Sequence, residues 1–262
     1  MVVIRGGGDL GTGAALRLQR CGWRVAILEM AQPTVIRRAV AFASAVFEGS
    51  IMVEGAIARR AEAVDNLESL WLRGEIPVVV DPHKAALPRL RPHAVVDAIL
   101  AKRNTGTRID DAPVVIGIGP GFTVGVNCRA VVESNRGHNL GRVYYEGRAE
   151  LDTGTPGTLG EQDAKRVLRA PVDGVFVALK RIGDRVTQGE AIGRVGTSLV
   201  SSEIDGVLRG VLHDGLKIPA GLKVADVDPR GVVAHCFSVS DKSWAVGGGV
   251  VEAVFHLTAS IR

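Results

Sequence analysis

The chain is poor in aromatic residues and in long apolar runs, and each shortage excludes a class of protein. Phe, Trp and Tyr make up 4% of its 262 residues, and its basic residues form scattered pairs around a net charge of +4. Nucleic-acid binding needs a clustered basic face with stacking aromatic side chains, so no nucleic-acid partner is expected. No run approaches the roughly 20 apolar residues of a membrane helix, so no membrane partner is expected either.

Cysteine is scarce as well. Cys21, Cys128 and Cys236 lie far apart and form no Cys-x-x-Cys pair. That spacing excludes a zinc knuckle of neighbouring residues and argues against a disulfide scaffold. No helical His/Glu pair with metal-ligand spacing is visible, so no metal site is predicted. The apolar start of the chain stops at Arg5, too soon for a signal peptide, and we therefore expect a cytoplasmic protein.

Glycine, by contrast, is abundant, and short valine-rich runs alternate with helix-like segments. A strand at 2–4, a glycine turn, a helix at 10–21 and a strand at 23–29 open the chain, and a helix is predicted over 34–47. Further apolar strands are predicted at 76–80, 94–96 and 114–116. Near-continuous apolar strands alternating with helices are typical of a parallel sheet buried on both faces. We predict an α/β fold with a Rossmann-like nucleotide-binding domain over residues 1–112.

After this domain the pattern changes to short β-rich pieces. Residues 113–160 are predicted to form a β-rich connecting segment, which ends in a turn-rich linker at 152–158. The last segment, 231–262, contains a strand-like piece at 235–239 and then a helix-like run. We expect it to pack back on the first domain.

An internal repeat lies between these two segments. Residues 171–195 align without gaps onto 203–227, and the turn glycines match. Two copies of a β-hammerhead predict a duplicated barrel-sandwich hybrid domain over 161–230, like the biotinyl and lipoyl domains. The stretch between the copies, 195–202, contains no lysine, so neither covalent biotin nor lipoate is expected.

Gly6-x-Gly8-x-x-Gly11 has the spacing of a dinucleotide fingerprint and lies between a strand and a helix. Its glycines permit the tight turn, the approach to a pyrophosphate and the close packing of the helix. Glu29 ends the second strand, where a carboxylate would bind a ribose hydroxyl and repel a 2′-phosphate. NAD or another nucleotide is therefore the predicted cofactor, in preference to NADP. A pocket without a ligand, or a differently used phosphate site, stays open as the alternative.

Two more residues belong to this predicted cofactor site. Gly7 lies within the glycine run, and Asp9 follows it at the start of the helix. A carboxylate at that place would repel a phosphate. We therefore predict that Asp9 caps the helix; a cation between the two anions is the alternative.

Other polar or turn-forming residues follow later strands. Asp81, Gly119 and Gly121 are predicted to join the same cofactor-binding rim, and Asp97 lies near it. Ligands of open α/β sheets sit beyond the carboxyl ends of the strands. Simple turn chemistry is the alternative for each of them.

The turn at 135–139 carries a cation and an imidazole, Arg136 and His138. His138 is a candidate general acid or base, or a ligand, with Arg136 beside it; an ordinary surface histidine is the alternative. No Gly-x-Ser-x-Gly elbow is present, so nucleophilic serine catalysis gains no support.

Several segments together resemble the accessory protein family of selenium-dependent molybdenum hydroxylase systems, in order and nearly end to end. The resemblance implies a maturation protein whose partner is a molybdenum hydroxylase or its cofactor-assembly proteins. Ile99 departs from it, since that place is usually basic. The segments are Ile4–Gly13, Ile36–Val40, Val78–Pro82, Ile116–Phe122, Glu133–Val143, Ser240–Lys242 and Gly247–Ala253.

The combined prediction is a maturation protein that binds NAD or a molybdopterin dinucleotide in a Rossmann crevice. Two alternatives come from other classes: a stand-alone NAD-dependent oxidoreductase, and an interaction protein with a vestigial pocket. Whether any reaction is catalysed, whether selenium is handled directly and whether the chain forms a homo-oligomer stay open.

Overall fold

The computed structural model describes residues 1–151 and 165–260 of the chain. Contacts group the described residues into two units. The large unit takes the described residues of 1–33, 42–153 and 239–262, and the small unit takes those of 34–41 and 154–238. The finer, four-part division made from the sequence stays a prediction, and its linker at 152–158 lies outside the described residues.

A nine-stranded mixed sheet forms the centre of the large unit. Its strands are β1 (Val2–Arg5), β2 (Val25–Glu29), β3 (Ser50–Val53), β4 (Ala56–Ala61), β5 (Ile76–Val80), β6 (Ala94–Asp97), β7 (Val114–Ile118), β8 (Ala130–Val132) and β9 (Val143–Tyr144). Their order across the sheet is β3-β4-β5-β2-β1-β6-β7-β8-β9. The strands from β4 to β8 run parallel, whereas β3 and β9 pair antiparallel at the two edges.

The burial of the central strands explains why their sequences are continuously apolar. Every residue of β1, β6 and β7 is buried, as expected for parallel strands covered on both faces. Five helices accompany the strands: α1 (Asp9–Arg20), α2 (Ala45–Glu48), α3 (Leu67–Leu72), α4 (Leu87–Leu90) and α5 (Asp241–Ala259). The two long helices, α1 and α5, pack on each other. Within the described ranges no helix has both the length and the apolar character to cross a bilayer.

The small unit contains two four-stranded antiparallel sheets. Its strands are β10 (Val167–Arg169), β11 (Gly174–Ala178), β12 (Arg185–Val186), β13 (Ala191–Val195), β14 (Ser198–Ser201), β15 (Gly206–Val211), β16 (Lys217–Ile218) and β17 (Lys223–Asp228). Their orders are β10-β17-β15-β12 and β14-β13-β11-β16. Each copy of the sequence repeat gives a short strand to the other copy: β12 pairs with β15, and β16 pairs with β11.

The predicted fold class, a Rossmann-like parallel sheet followed by a barrel-sandwich hybrid, is wrong. The large sheet is mixed and includes β7, β8 and β9, which lie beyond residue 112. A Rossmann-like sheet links its parallel strands through helices, but the segments from β6 to β7 and from β7 to β8 contain none. The second half of the chain forms two small antiparallel sheets.

Two local predictions also fail. Residues 34–47 do not form one helix: they contain two 3₁₀ turns, at Arg38–Val40 and Phe42–Ser44, and the start of the short α2, and the chain passes from one unit to the other between Ala41 and Phe42. Within the small unit, Arg38 Nε donates to the carbonyl of Val211 at 2.8 Å, and this bond attaches the first 3₁₀ turn to the end of β15. The predicted strand at 235–239 is a 3₁₀ turn at Val233–Cys236.

Candidate functional site

The glycine loop between β1 and α1 lies at the carboxyl edge of the large sheet, and only glycine fits several of its positions. Gly6 has φ +91°, in the left-handed region that favours glycine. A Cβ added to Gly11 would lie 2.1 Å from the carbonyl oxygen of Gly6, and one added to Gly7 would lie 2.8 Å from the amide nitrogen of Ala43. The loop is therefore pressed between the start of α1 and the segment before α2.

Helix α1 begins without a side-chain cap. Gly8 is the N-cap residue, its backbone is extended, and no side chain accepts a hydrogen bond in the cap position. Asp9 is the first residue of the helix instead of its cap, which differs from the predicted arrangement. Both residues are half-buried. The positive end of the helix dipole therefore lies at a residue without a side chain, Gly8, and Asp9 places one carboxylate in the first turn.

Thr12 ties the loop to its neighbour. Its hydroxyl donates to the carbonyl of Gly7 at 3.1 Å and accepts from the amide of Phe42 at 2.9 Å. The amide of Ala43 donates to the same Gly7 carbonyl at 2.8 Å. These bonds hold the loop backbone on both sides, a role of Thr12 that its sequence context does not predict.

Glu29 turns its carboxylate into the glycine loop. The amide of Gly7 donates to Glu29 Oε2 at 2.7 Å, and the amide of Met30 donates to Oε1 at 2.8 Å. Burial raises the pKa of the Glu29 carboxyl above its ordinary value, and the two amide hydrogen bonds oppose that shift. Glu29 therefore stands where the sequence predicts it, and it also supports the loop backbone.

The raised pKa of Glu29 predicts a pH-dependent stability. A carboxyl group whose pKa is higher in the folded than in the unfolded protein favours folding at low pH, and that contribution is lost as the pH rises through the folded-state pKa. We expect the stability of Glu29→Gln relative to wild type to rise as the pH increases from about 4 to about 7. Urea unfolding of both proteins across this range measures the difference.

Glu68→Gln is the matched control, because Glu68 is exposed and forms a surface ion pair. Its difference from wild type should change far less over the same range. A Glu29→Gln difference that is constant with pH, or that falls as the pH rises, would contradict the prediction.

A buried ion pair adjoins the loop, since Arg5 is the last residue of β1 and precedes Gly6. Arg5 Nη1 contacts Asp97 Oδ2 at 2.9 Å, with side chains 4% and 2% exposed. The Thr107 hydroxyl donates to the same carboxylate oxygen at 2.5 Å and is also contacted by Arg5. The amide of Ile99 donates to Asp97 Oδ1 at 3.1 Å, so the carboxylate also anchors the backbone after β6. The sequence pointed to Asp97 at the rim but did not identify Arg5.

The other predicted rim residues have local structural roles. Asp81 accepts the amides of Ala85 and Ala86 at 2.9 and 2.7 Å and so holds the turn before α4. Gly119 has φ +74°, and a Cβ there would lie 2.4 Å from the Ser134 hydroxyl oxygen. Gly121 has φ +103° and packs against the backbone of Arg103. These residues follow the ends of β5 and β7, and whether they contact a ligand stays a prediction.

Arg136 and His138 are not brought together as a pair. Arg136 donates to both carboxylate oxygens of Asp241, at 2.7 and 2.8 Å, and so joins its turn to the start of α5. His138 is exposed and makes no hydrogen bond with the described residues. Two glutamates that sequence reasoning missed shape the turn: Glu133 accepts the amide of Asn135 at 2.6 Å, and Glu150 accepts its side-chain amide at 2.7 Å.

Two further features of the described residues bear on the site. No group of three His, Cys, Asp or Glu side chains could hold a metal ion there. An open groove of about 800 Å³ lies elsewhere in the large unit and contains none of the predicted site residues. Four of its charged side chains form ion pairs within the groove, Lys84 with Asp111 and Arg108 with Asp110.

Comparison with known proteins gives first a group of solved structures. The chain is similar to a succinylglutamate desuccinylase/aspartoacylase of Rhodobacter sphaeroides at 17% identity and TM-score 0.25, over 55% of this chain and 60% of that one. It is similar to the ectoine utilization protein EutE (DoeB) of Ruegeria pomeroyi at 15% identity and TM-score 0.25, over 86% and 56%. An aspartoacylase family protein of Mesorhizobium loti is similar at 10% identity and TM-score 0.24, over 77% of this chain and 56% of that one. No protein-family profile matches.

One curated relative is far more similar in sequence. The chain is 50% identical over 257 residues to uncharacterized protein YqeB of Escherichia coli (strain K12). The match covers 98% of this chain but 48% of YqeB, so the chain spans about half the length of this relative.

These comparisons contradict the predicted family. Two of the three named solved neighbours are aspartoacylase or succinylglutamate desuccinylase proteins, the third is an ectoine utilization protein, and none is an accessory protein of a selenium-dependent molybdenum hydroxylase. The maturation function and the molybdenum hydroxylase partner are therefore wrong, and neither alternative function gains support. Several motif residues behind the resemblance have structural roles in this chain, as Gly11 packs on Gly6 and Arg136 pairs with Asp241. With TM-scores near 0.25, the neighbours' activities are not transferred to it.

Proposed function

We propose that the chain binds a nucleotide, of the NAD type or another carrying a pyrophosphate, at the glycine loop of the large unit. The observation that carries the proposal is the start of α1, where Gly8 leaves the cap position without a side chain. Backbone amides at such a helix start offer fixed donors and a partial positive charge to a phosphate. A 12-residue helix is long enough to present this dipole.

The charges around the loop favour one kind of phosphate. Asp9 in the first turn and Glu29 beside Gly7 are both acidic. They disfavour the two charges of a terminal phosphate more than the single charge on each phosphate of a pyrophosphate diester. Each Glu29 oxygen accepts one amide and keeps a second acceptor position for a ribose hydroxyl. NAD therefore fits better than NADP.

The test places a carboxylate where the phosphate would bind. Gly8 has φ −66° and ψ −174°, which any residue adopts, so Gly8→Asp should fold and cap α1 with its own side chain. We expect NAD to stabilise the wild-type chain by roughly 2.7 kcal/mol at about a hundred times its dissociation constant. In Gly8→Asp the affinity should fall at least about tenfold, or 1.4 kcal/mol. Calorimetric titration and thermal unfolding with NAD, NADP and ADP measure both.

Asn66→Asp is the matched control, since it adds the same charge at the uncapped start of α3 in the same unit. Its affinity should equal that of wild type. No stabilisation of wild type by any of the three nucleotides would reject the proposal. If Gly8→Asp bound the nucleotide as tightly as wild type, the binding site would lie outside this loop.

We also propose a cytoplasmic location, on the evidence of the cysteines. All three cysteines, Cys21, Cys128 and Cys236, are free thiols, and two of them are buried. Free thiols are the usual state of cysteine in a reducing compartment. This supports the predicted cytoplasmic location.

A further inference from the structure

The groove of about 800 Å³ in the large unit is lined by residues of two segments, 83–92 and 108–113. An ion pair between Lys84 and Asp111 joins the two segments. The same carboxylate accepts the amide of Arg108 at 2.9 Å, which fixes the turn of the second segment. The groove is therefore held in shape by its own bonds, and its volume is typical of a site for a small molecule.

Part of the groove surface is apolar and rigid. Leu87, Pro92 and Ala112 are buried residues of the lining, and Pro88 and Pro113 line the groove as well. Proline rings fix the backbone of these walls, so little chain freedom is lost when a molecule binds. An apolar group gains free energy when it leaves water for such a surface. The groove can therefore hold the apolar part of a ligand.

With histidine counted as neutral, the charges of the lining leave one cation uncompensated. Lys84 pairs with Asp111, and Arg108 donates through Nε at 2.9 Å and through Nη2 at 2.6 Å to the two oxygens of Asp110. Arg91 also lines the groove, and its side chain makes no hydrogen bond or ion pair with the described residues. A guanidinium presents a fork of donors that matches the two oxygens of a carboxylate. One bound carboxylate would balance the charge of the groove.

The backbone of Arg91 is unusual for an arginine. Arg91 ends α4 with φ 46° and ψ 57°, in the left-handed conformation for which glycine is the usual residue after a helix. It also precedes Pro92, and a residue before proline prefers an extended backbone. Lys84, in the same wall, has φ 54°. Residues held in this conformation against its cost are concentrated at binding sites. The fold alone would favour glycine at Arg91, so the arginine side chain calls for a functional explanation.

We propose that the groove binds a small organic molecule with one carboxylate and an apolar body, and that Arg91 binds the carboxylate. The apolar body lies against Leu87 and Ala112. One uncompensated positive charge matches a carboxylate better than a doubly charged phosphate monoester. The groove contains no residue of the glycine loop, so this inference does not depend on nucleotide binding.

The experiment measures binding to the whole chain by ligand-observed NMR titration. Phenylacetate and isocaproate are the probes, and they supply an aromatic and a branched aliphatic body. Phenylacetamide lacks the charge, acetate lacks the apolar body, and phenyl phosphate carries two charges. We expect both probes to bind, and phenylacetamide to bind at least about tenfold more weakly than phenylacetate, since it loses the charge-assisted hydrogen bonds. Acetate and phenyl phosphate should also bind more weakly.

Substitutions locate the carboxylate. Arg91→Gln should weaken phenylacetate binding at least about tenfold, and Arg91→Lys should weaken it less, because lysine keeps the charge but not the fork of donors. Arg89→Gln is the matched control, since Arg89 lies in α4, is exposed and does not line the groove. Its affinity should equal that of wild type.

Arg91→Gly separates ligand binding from a structural role. Glycine relieves the left-handed strain, so the midpoint of urea unfolding should equal or exceed that of wild type while phenylacetate binding is weakened. A lower midpoint would show that the arginine side chain stabilises the fold, and it would overturn the functional explanation of its backbone.

Each contrary binding result overturns a defined part of the proposal. If neither phenylacetate nor isocaproate bound, the ligand class would be wrong. If phenylacetamide or phenyl phosphate bound as tightly as phenylacetate, the single carboxylate would not be what the groove recognises. If Arg91→Gln bound phenylacetate as tightly as wild type, Arg91 would not hold the carboxylate.

Discussion

Replacing Arg5 by Met is expected to lower the free energy of unfolding of the large unit by about 3–5 kcal/mol. The reason is the position of its partner: Asp97 is 2% exposed and lies at the end of a strand whose residues are all buried. Without the guanidinium, the buried carboxylate keeps two donors among the described residues, the Thr107 hydroxyl and the Ile99 amide. Removing one partner of such a pair costs more than removing both, because it leaves an uncompensated charge.

Urea unfolding followed by tryptophan fluorescence measures this effect in the right unit. All three tryptophans, Trp23, Trp71 and Trp244, belong to the large unit. The double variant Arg5→Met/Asp97→Leu should recover at least half of the lost stability, since no buried charge remains.

An exposed ion pair of the same unit is the control. Arg24 and Glu68 lie 2.9 Å apart, as do Arg5 and Asp97, but their side chains are 53% and 57% exposed. Arg24→Met should therefore change stability by no more than about 1 kcal/mol. A small effect of Arg5→Met, or a double variant as unstable as the single one, would show that an uncompensated buried charge on Asp97 does not determine the loss of stability.

Some elements of the fold could be predicted because their sequences reflect burial alone. The strand predicted at 76–80 is β5, and the predicted strands at 2–4 and 94–96 lie within β1 and β6. Continuous apolar runs of this length have few other stable arrangements. The edge strand β3 (Ser50–Val53) was missed although Ile51, Met52 and Val53 are apolar; three of its four residues are not buried, so its sequence reflects burial less directly.

Contacts between distant parts of the chain account for what the sequence did not show. Arg5 and Asp97 are 92 residues apart, and only the pairing of β1 with β6 makes them neighbours. The same holds for Arg136 and Asp241, 105 residues apart. The positions of the glycine loop and of Glu29 in the fold could be predicted, because the two are close in sequence and belong to one strand–helix–strand unit.

Helix α5 contains three consecutive glycines, Gly247, Gly248 and Gly249, which the sequence does not suggest for a helix interior. Two of them lie where other backbone passes very close. A Cβ at Gly247 would be 2.7 Å from the carbonyl oxygen of Gly13 in α1, and one at Gly249 would be 2.3 Å from that of Gly141. Gly248 has only ordinary contacts, with the Arg17 guanidinium at 3.7 Å and beyond.

Alanine at these three positions should therefore change stability with opposite signs. Gly247→Ala and Gly249→Ala should each destabilise the large unit by about 1–3 kcal/mol, because the added methyl group forces α5 away from backbone that cannot move aside. Gly248→Ala should stabilise it by up to about 1 kcal/mol, since alanine favours the helix and nothing resists its side chain. Urea unfolding of the three variants, followed by tryptophan fluorescence, gives the three values.

Because the three substitutions add the same atom to one helix, each serves as the control for the others. Helix propensity alone would make all three stabilising, and a general intolerance of α5 to change would make all three destabilising. The alternation of loss, gain and loss arises only if α5 packs on α1 through Gly247 and on the turn before β9 through Gly249. Stabilisation by Gly249→Ala would refute this packing directly, since its methyl group would have to occupy the position of the Gly141 carbonyl.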